Sequence, residues 1–238
     1  ISKTPLRVSF VGGGTDMPYF YNKYSGATIS CAIDRYIYVT VKFHNNYLEK
    51  YRLNYSETEN TNSLNKIKNL RIKNVIKMLK IKKPLYINTF ADIPANSGLG
   101  SSSSFTVGLI KALSKLNNKN FSEKQIAEMA FKIESVITHN SVGKQDHYIA
   151  AFGGLNYIKY NKKQIKISPI DINKKKLNLF FNKMILIWTG QNRSARAVLN
   201  DQKNNIKKNI YYLKKMNKHT MEFKKEILNK KLDIKKLF

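Results

Sequence analysis

Residues 92–113 read "DIPANSGLGSSSSFTVGLIKAL", two glycines and four consecutive serines between a strand-like run and a helix-like one. A strand-to-helix connection needs only about two to six residues of ordinary turn composition, so these small side chains ask for a reason. Gly98 and Gly100 let the backbone approach a ligand and take dihedral angles closed to other residues. Ser101–Ser104 then open a helix whose free N–H groups and positive dipole end attract an anion. The stretch therefore reads as a phosphate cradle or as a tight structural turn. It is not a Walker loop, which needs Lys and then Ser or Thr after the second glycine, where Ser101 stands. Nor is it a dinucleotide fingerprint, whose third glycine falls where Ser103 stands.

The rest of the chain places this loop in a mixed α and β protein. Alternation and β-branched residues predict strands over 6–14, 30–43, 85–93, 164–170 and 178–190. Helical spacing predicts helices over 64–80, 104–116 and 122–139, the last with Ser122 as N-cap, then another from Arg193 and a long amphipathic one over 206–238. The polar, lysine- and asparagine-rich stretch 161–176 is the expected domain boundary. With 238 residues and 42% apolar content the chain can bury a substantial core.

The formal charge of +28 invites a nucleic-acid reading. Its distribution argues against one. Lysines spread over 61–90, 162–183 and 203–238, and only six of the 43 basic residues are arginine, the pattern of a compositional bias over solvated helix faces. Cys31, the single cysteine, cannot form an intramolecular disulfide and reads as a small buried hydrophobe. No apolar run approaches the ~18 residues of a membrane span, so no membrane partner is expected and a cytoplasmic location is. The start at Ile1 and the stop within a helical pattern lead us to expect a longer gene product.

Pro94-Ala95-Asn96-Ser97-Gly98-Leu99-Gly100-Ser101-Ser102-Ser103 resembles the P-x-x-x-G-L-G-S-S-[AS] motif of the GHMP kinases. Two further stretches fit in the expected order. "TPLRVSFVGGGTD" (4–16) is similar to the first motif of the sugar-kinase branch, with a glycine triplet in place of Gly-Glu-His, and "GKQD" (143–146) resembles the segment bearing the catalytic aspartate. The resemblance runs to about residue 200, and "TGQNRSA" (189–195) adds to a likeness with the heptose 7-phosphate kinase branch. It implies an α+β, two-domain GHMP kinase fold: a ribosomal protein S5 domain 2-like N-terminal domain over 1–170 and the start of a ferredoxin-like C-terminal domain over 171–238, incomplete because the glycine-rich third motif does not occur here.

The resemblance also implies an activity, ATP-dependent phosphorylation of the anomeric hydroxyl of D-glycero-D-manno-heptose 7-phosphate, which would feed surface polysaccharide synthesis. A kinase of an unphosphorylated sugar such as L-fucose is the alternative. Pro94, Asn96, Ser97, Gly98, Gly100, Ser101, Ser102 and Ser103 would hold the ATP phosphates, and Ser102 with Glu134 would hold Mg²⁺; Glu134 also reads as a plain helix carboxylate. Asp146 would take or orient the sugar proton, with Arg7 keeping it ionised. Gly13, Gly14, Thr15 and Asp16 would meet the sugar, Asp16 being readable also as a turn cap, and Lys144 and Arg193 would bind its phosphate. His139 and His147 read as structural. The partners implied are a sugar phosphate and ATP, and a homo-oligomer is compatible with the sequence.

Overall fold

The computed structural model describes residues 1–45, 49–139, 141–187, 190, 201–202 and 205–229. Seven strands form one sheet in the order β4-β3-β5-β2-β6-β7, with β1 beside β2. The strands are β1 (Ser2–Val11), β2 (Gly26–Phe43), β3 (Tyr51–Asn54), β4 (Thr58–Thr61), β5 (Leu85–Ala91), β6 (Leu155–Tyr160) and β7 (Ile165–Pro169). The long strand β2 organises the sheet. Along one edge its first half pairs with β6 and its second half with β5, while β1 runs antiparallel on the other edge with Val8 opposite Cys31.

Both faces of the sheet are covered. Helices α2 (Leu70–Leu79), α3 (Ser101–Leu116), α4 (Glu123–Ile137) and α5 (Gln145–Phe152) bury the larger core, built on residues such as Leu6, Ile37, Val39, Ile76, Leu109 and Ile149. On the opposite face Ala27, Ile29 and Cys31 of β2 meet Phe180 of α6 (Lys174–Phe181) and Phe223 and Ile227 of α7 (Ile206–Leu228). The period of two along β2 sorts its side chains between these layers; Thr28, on the face away from Ile29, shares a hydrogen bond with Tyr160 Oη. A short α1 (Pro18–Tyr24) follows the glycine triplet. Cys31 is buried, and burial pushes its thiol up to about 11, so it is inert at neutral pH.

Two expected elements differ. The predicted helix over 64–80 is split into a single 3₁₀ turn at Leu64–Lys66 and α2. Buried Glu59 in β4 accepts hydrogen bonds from the Lys68 and Asn69 N–H groups, and Asn69 Oδ1 then accepts from Arg71 N and Ile72 N, so a new helix starts at Leu70. The predicted strand over 178–190 is helical at its start. Asn173 caps α6 through Lys176 N, and Leu177, Phe180 and Phe181, at helical spacing, pack into the second core. Residues 182–187 carry no strand, and the helix expected from Arg193 lies outside the described residues apart from Asp201 and Gln202. The helix expected over 206–238 is present as α7, and residues 230–238 lie outside the described ones.

Candidate functional site

The glycine-serine loop leaves β5 at Ala91 and enters α3 at Ser101. Asn96, Gly98 and Gly100 all have positive φ, at 62°, 79° and 77°, so the backbone coils back on itself before the helix begins with the Ser104 N–H bonded to the Gly100 carbonyl. A Cβ on Gly100 would come within 3.2 Å of Arg7 Cγ and 3.4 Å of Asp146 Oδ2, so the loop lies directly on that pair.

Arg7 and Asp146, 139 residues apart, form a two-pronged ion pair: Nε to Oδ1 at 2.6 Å and NH2 to Oδ2 at 2.6 Å. The third edge of the guanidinium donates to the Gly98 carbonyl at 2.7 Å, and the Arg7 backbone N–H holds the Leu99 carbonyl. Strand β1 thus grips the loop and the first turn of α5 together. Burial alone would raise the Asp146 carboxyl, but the Arg7 charge and bonds, helped by His147 and Gln145, hold it below its ordinary value. It is ionised at neutral pH.

Asp16 ties the first motif to the same helix. Its carboxylate accepts from Gly14 N at 3.1 Å and from Gln145 N at 3.0 Å, and Gly143 passes so close that a Cβ there would sit 1.9 Å from Oδ2. Burial, with Asp146 adding to it, raises the Asp16 carboxyl to about 6 despite those backbone bonds. The sign of the pH dependence follows. Between 3.8 and 6 the fold binds a proton that the open chain has released, so this group costs stability as pH rises, roughly 3 kcal/mol above pH 6. His147, pushed down by burial, acts in the opposite sense. The expected outcome is therefore stated as a difference: from pH 4 to 7 the stability of the Asp16→Asn variant rises relative to the parent protein. Urea unfolding of both proteins across that range measures it, and parallel curves would show that Asp16 does not titrate there.

A second carboxylate pair lies at the helix end of the loop. Glu134 on α4, buried, accepts from Arg71 Nε at 2.6 Å, Arg71 NH2 at 3.0 Å and Thr106 Oγ1 at 2.7 Å. The same Arg71 NH2 donates to Ser102 Oγ at 2.8 Å. Against the cost of burial, Arg71 first, then His147 and Thr106, hold the Glu134 carboxyl low. The structure brings Ser102 and Glu134 together, as a shared metal requires, but with a guanidinium bridging them. A carboxylate and a hydroxyl are the oxygen donors Mg²⁺ favours; in this arrangement they are both committed to Arg71, and a metal held directly by the two does not fit.

The other expected site residues are placed as follows. Pro94, Asn96 and Gly98 are exposed on the loop, and the Ser97 hydroxyl is buried without a hydrogen-bond partner among the described residues. Ser101 opens α3, while Ser103 is turned inward, 3.3 Å from His147 Nε2. Gly13 is exposed, and Gly14 lies against Gln202, whose Nε2 is 2.4 Å from where a Cβ would sit. The Thr15 hydroxyl is spent on backbone, donating toward the Gly12 and Ala27 carbonyls and accepting from Ala27 N. Lys144 turns from the loop to Glu128, 2.7 and 2.9 Å away, and lies over the Phe131 ring. There it lines a cavity of about 590 Å³ between α1 and α4. Arg193 lies outside the described residues. Sequence reasoning missed Arg71, Thr106 and Gln145. For Arg71 a signal existed, an arginine kept in the lysine-rich stretch 61–90.

Known proteins resemble the chain along most of its length. Residues 66–154 match the GHMP kinases N terminal domain. A D-glycero-alpha-D-manno-heptose 7-phosphate kinase of Campylobacter jejuni is 32% identical over 216 residues, covering 86% of this chain and 64% of that protein. A mevalonate kinase of Methanocaldococcus jannaschii is 34% identical over 115 residues, 42% of this chain and 36% of that one. The chain thus spans less than two thirds of these relatives' lengths. Among solved structures, a D-glycero-D-manno-heptose 1-phosphate kinase from Bacteriodes thetaiotaomicron superimposes over 95% of this chain and 72% of its own with a TM-score of 0.81 at 25% identity. The chain therefore carries a GHMP kinases N terminal domain around the loop, and along nearly its whole length it shares the fold of a sugar-phosphate kinase of solved structure.

Proposed function

We propose that the protein is a sugar kinase that transfers the γ-phosphoryl group of Mg·ATP to the anomeric hydroxyl of D-glycero-D-manno-heptose 7-phosphate. The observation that carries the reading is the Arg7–Asp146 fork pressed against Gly98 and Gly100. It sets a carboxylate able to take a proton, and a cation able to balance charge, beside a backbone suited to phosphates. The anomeric oxygen forms a bond to the γ-phosphorus while the bond from that phosphorus to the bridging oxygen breaks and ADP leaves. The hydroxyl proton passes to Asp146 as the new bond forms. Arg7 stabilises negative charge growing on the transferred group. The Ser97 hydroxyl and the free N–H groups at the start of α3 hold the nucleotide phosphates.

Support for the sugar comes from the heptose 7-phosphate kinase of Campylobacter jejuni, a likeness along 86% of the chain. In this reading residues 1–170 form the N-terminal domain and 171–238 begin the C-terminal one, α6 and α7 being its described parts. Among the described residues no helix is long and apolar enough to cross a membrane. A sugar that already carries a phosphate needs a second anion site, for which Arg193 and, once released from Glu128, Lys144 are the candidates.

The test is ATP consumption by the full-length protein with D-glycero-D-manno-heptose 7-phosphate, L-fucose and D-mannose in parallel, with and without Mg²⁺. Turnover confined to the heptose phosphate is expected. Turnover on L-fucose or D-mannose alone would keep the mechanism and discard the substrate. No turnover on any of them, together with steeply salt-dependent binding to unrelated DNA, would replace the kinase reading with a nucleic-acid one.

A further inference from the structure

Arginine is scarce in this chain, six of 43 basic residues, yet two of the six flank the glycine-serine loop and each grips a carboxylate with paired bonds. Arg35 and Arg52, by contrast, are more than half exposed and meet a nearby acid through a single ion-pair contact each, at 3.2 and 4.0 Å. The loop therefore has a forked guanidinium at each end, Arg7 on the Gly98 carbonyl and Arg71 on the Ser102 hydroxyl. Neutralising Glu134 does not require this residue type, because a lysine would supply the charge. An arginine adds a planar set of donors that can face two partners and keep an edge for a third.

That third edge is open. Nε and NH2 of Arg71 are committed to Glu134 and Ser102, whereas NH1 makes no hydrogen bond among the described residues and the side chain is 29% exposed. The guanidinium is fixed in place from both sides. Its backbone is held in the first turn of α2 by the Asn69 cap, and its committed edge is held by a carboxylate that Thr106 also anchors. A cation immobilised this way, touching the first turn of a 16-residue helix, loses little freedom when an anion arrives. In the same loop the buried Ser97 hydroxyl makes no hydrogen bond among the described residues, so a donor there can meet an acceptor that the loop's rearrangement around a ligand brings to it.

The geometry points to Arg71 as a ligand of the nucleotide phosphates, supplying through its NH1 edge the positive charge at the helix end of the loop, where it bridges the residues expected to hold a metal. This rests on reading the loop as a nucleotide site. It predicts that a nucleoside triphosphate binds without Mg²⁺, and that this binding depends on Arg71.

Calorimetric titration with ATP and with adenosine, in excess EDTA and in Mg²⁺, tests it on the parent protein, Arg71→Ala and the double variant Arg71→Ala/Glu134→Gln. The double variant removes the carboxylate that the single one strands in the interior, so it recovers the thermal midpoint that the single one loses. Expected is a loss of roughly tenfold or more in metal-free ATP affinity in both variants, with adenosine affinity unchanged. A double variant that binds metal-free ATP as the parent does would reduce Arg71 to a structural partner of Glu134. Parent protein that binds ATP only with Mg²⁺ would overturn the role of Arg71 alone. Parent protein that binds neither ATP nor adenosine in either medium would overturn the nucleotide reading of the loop, and Arg71 with it.

Discussion

Replacing Asp146 by alanine is expected to lower phosphoryl transfer roughly 10³-fold while ATP affinity changes by less than about threefold. The two effects separate because of where the carboxylate is spent. Asp146 engages Arg7 and, more weakly, Gln145, and within the described residues it makes no contact that a nucleotide would need. Its loss releases the Arg7 guanidinium from an ion pair and leaves a cation beside the loop, which favours bound phosphate. What disappears is the group that takes the hydroxyl proton. Asp146→Asn sharpens the test, since the amide keeps the volume and one acceptor for Arg7 yet cannot accept a proton at neutral pH. Both variants should show the same defect in steady-state rate, with ATP affinity read by calorimetry. A variant that keeps more than about a tenth of the parent rate would take Asp146 out of the proton path.

How much of this was legible in the sequence depends on how far apart the interacting groups lie along the chain. The helix opening at Ser101 was readable because glycine and serine act locally, through backbone freedom and free N–H groups. The capping box at Ser122 and Gln125 was readable at its N-cap for the same reason. Glu59 was not. It ends the 3₁₀ turn and starts α2 from a strand nine and ten residues earlier, an interaction that no window on 64–80 contains. The misread run 178–190 holds apolar residues consistent with either a strand or a helix, and the Asn173 cap together with the aromatic cluster of Phe10, Phe180 and Phe223 selects the helix over its first residues. The four-residue strands β3 and β4 carry too few residues for a periodic signal. In the candidate site, Arg7 and Asp146 were named from the family resemblance rather than from spacing. Arg71 had no such guide, and its pairing with Glu134, 63 residues away, is visible only once α2 and α4 pack against α3.

Arg7→Ala is expected to reduce transfer roughly 10²-fold and to change the way stability depends on pH. In the parent protein the Arg7 charge holds Asp146 below its ordinary 3.8, so the pair contributes stability that is present above that value and lost as the pH falls through the lower folded value. Without Arg7 the effect of burial prevails and the carboxyl moves up instead. The variant then loses stability as pH rises through its new value. The gap between parent and Arg7→Ala should therefore widen from pH 3 to pH 7, to about 2 kcal/mol, the scale of a charge-assisted hydrogen-bonded pair. Arg7→Ala/Asp146→Asn has no carboxyl left to strand, so it should lie closer to the parent at pH 7 while remaining inactive. Arg7→Lys completes the argument: one ammonium restores the charge but cannot span both Asp146 oxygens and the Gly98 carbonyl, so stability should return further than the rate does. Equal recovery of rate and stability in that variant would mean that the loop needs only a positive charge at this position. Recovery of stability alone would assign the remaining loss to the fork's geometry.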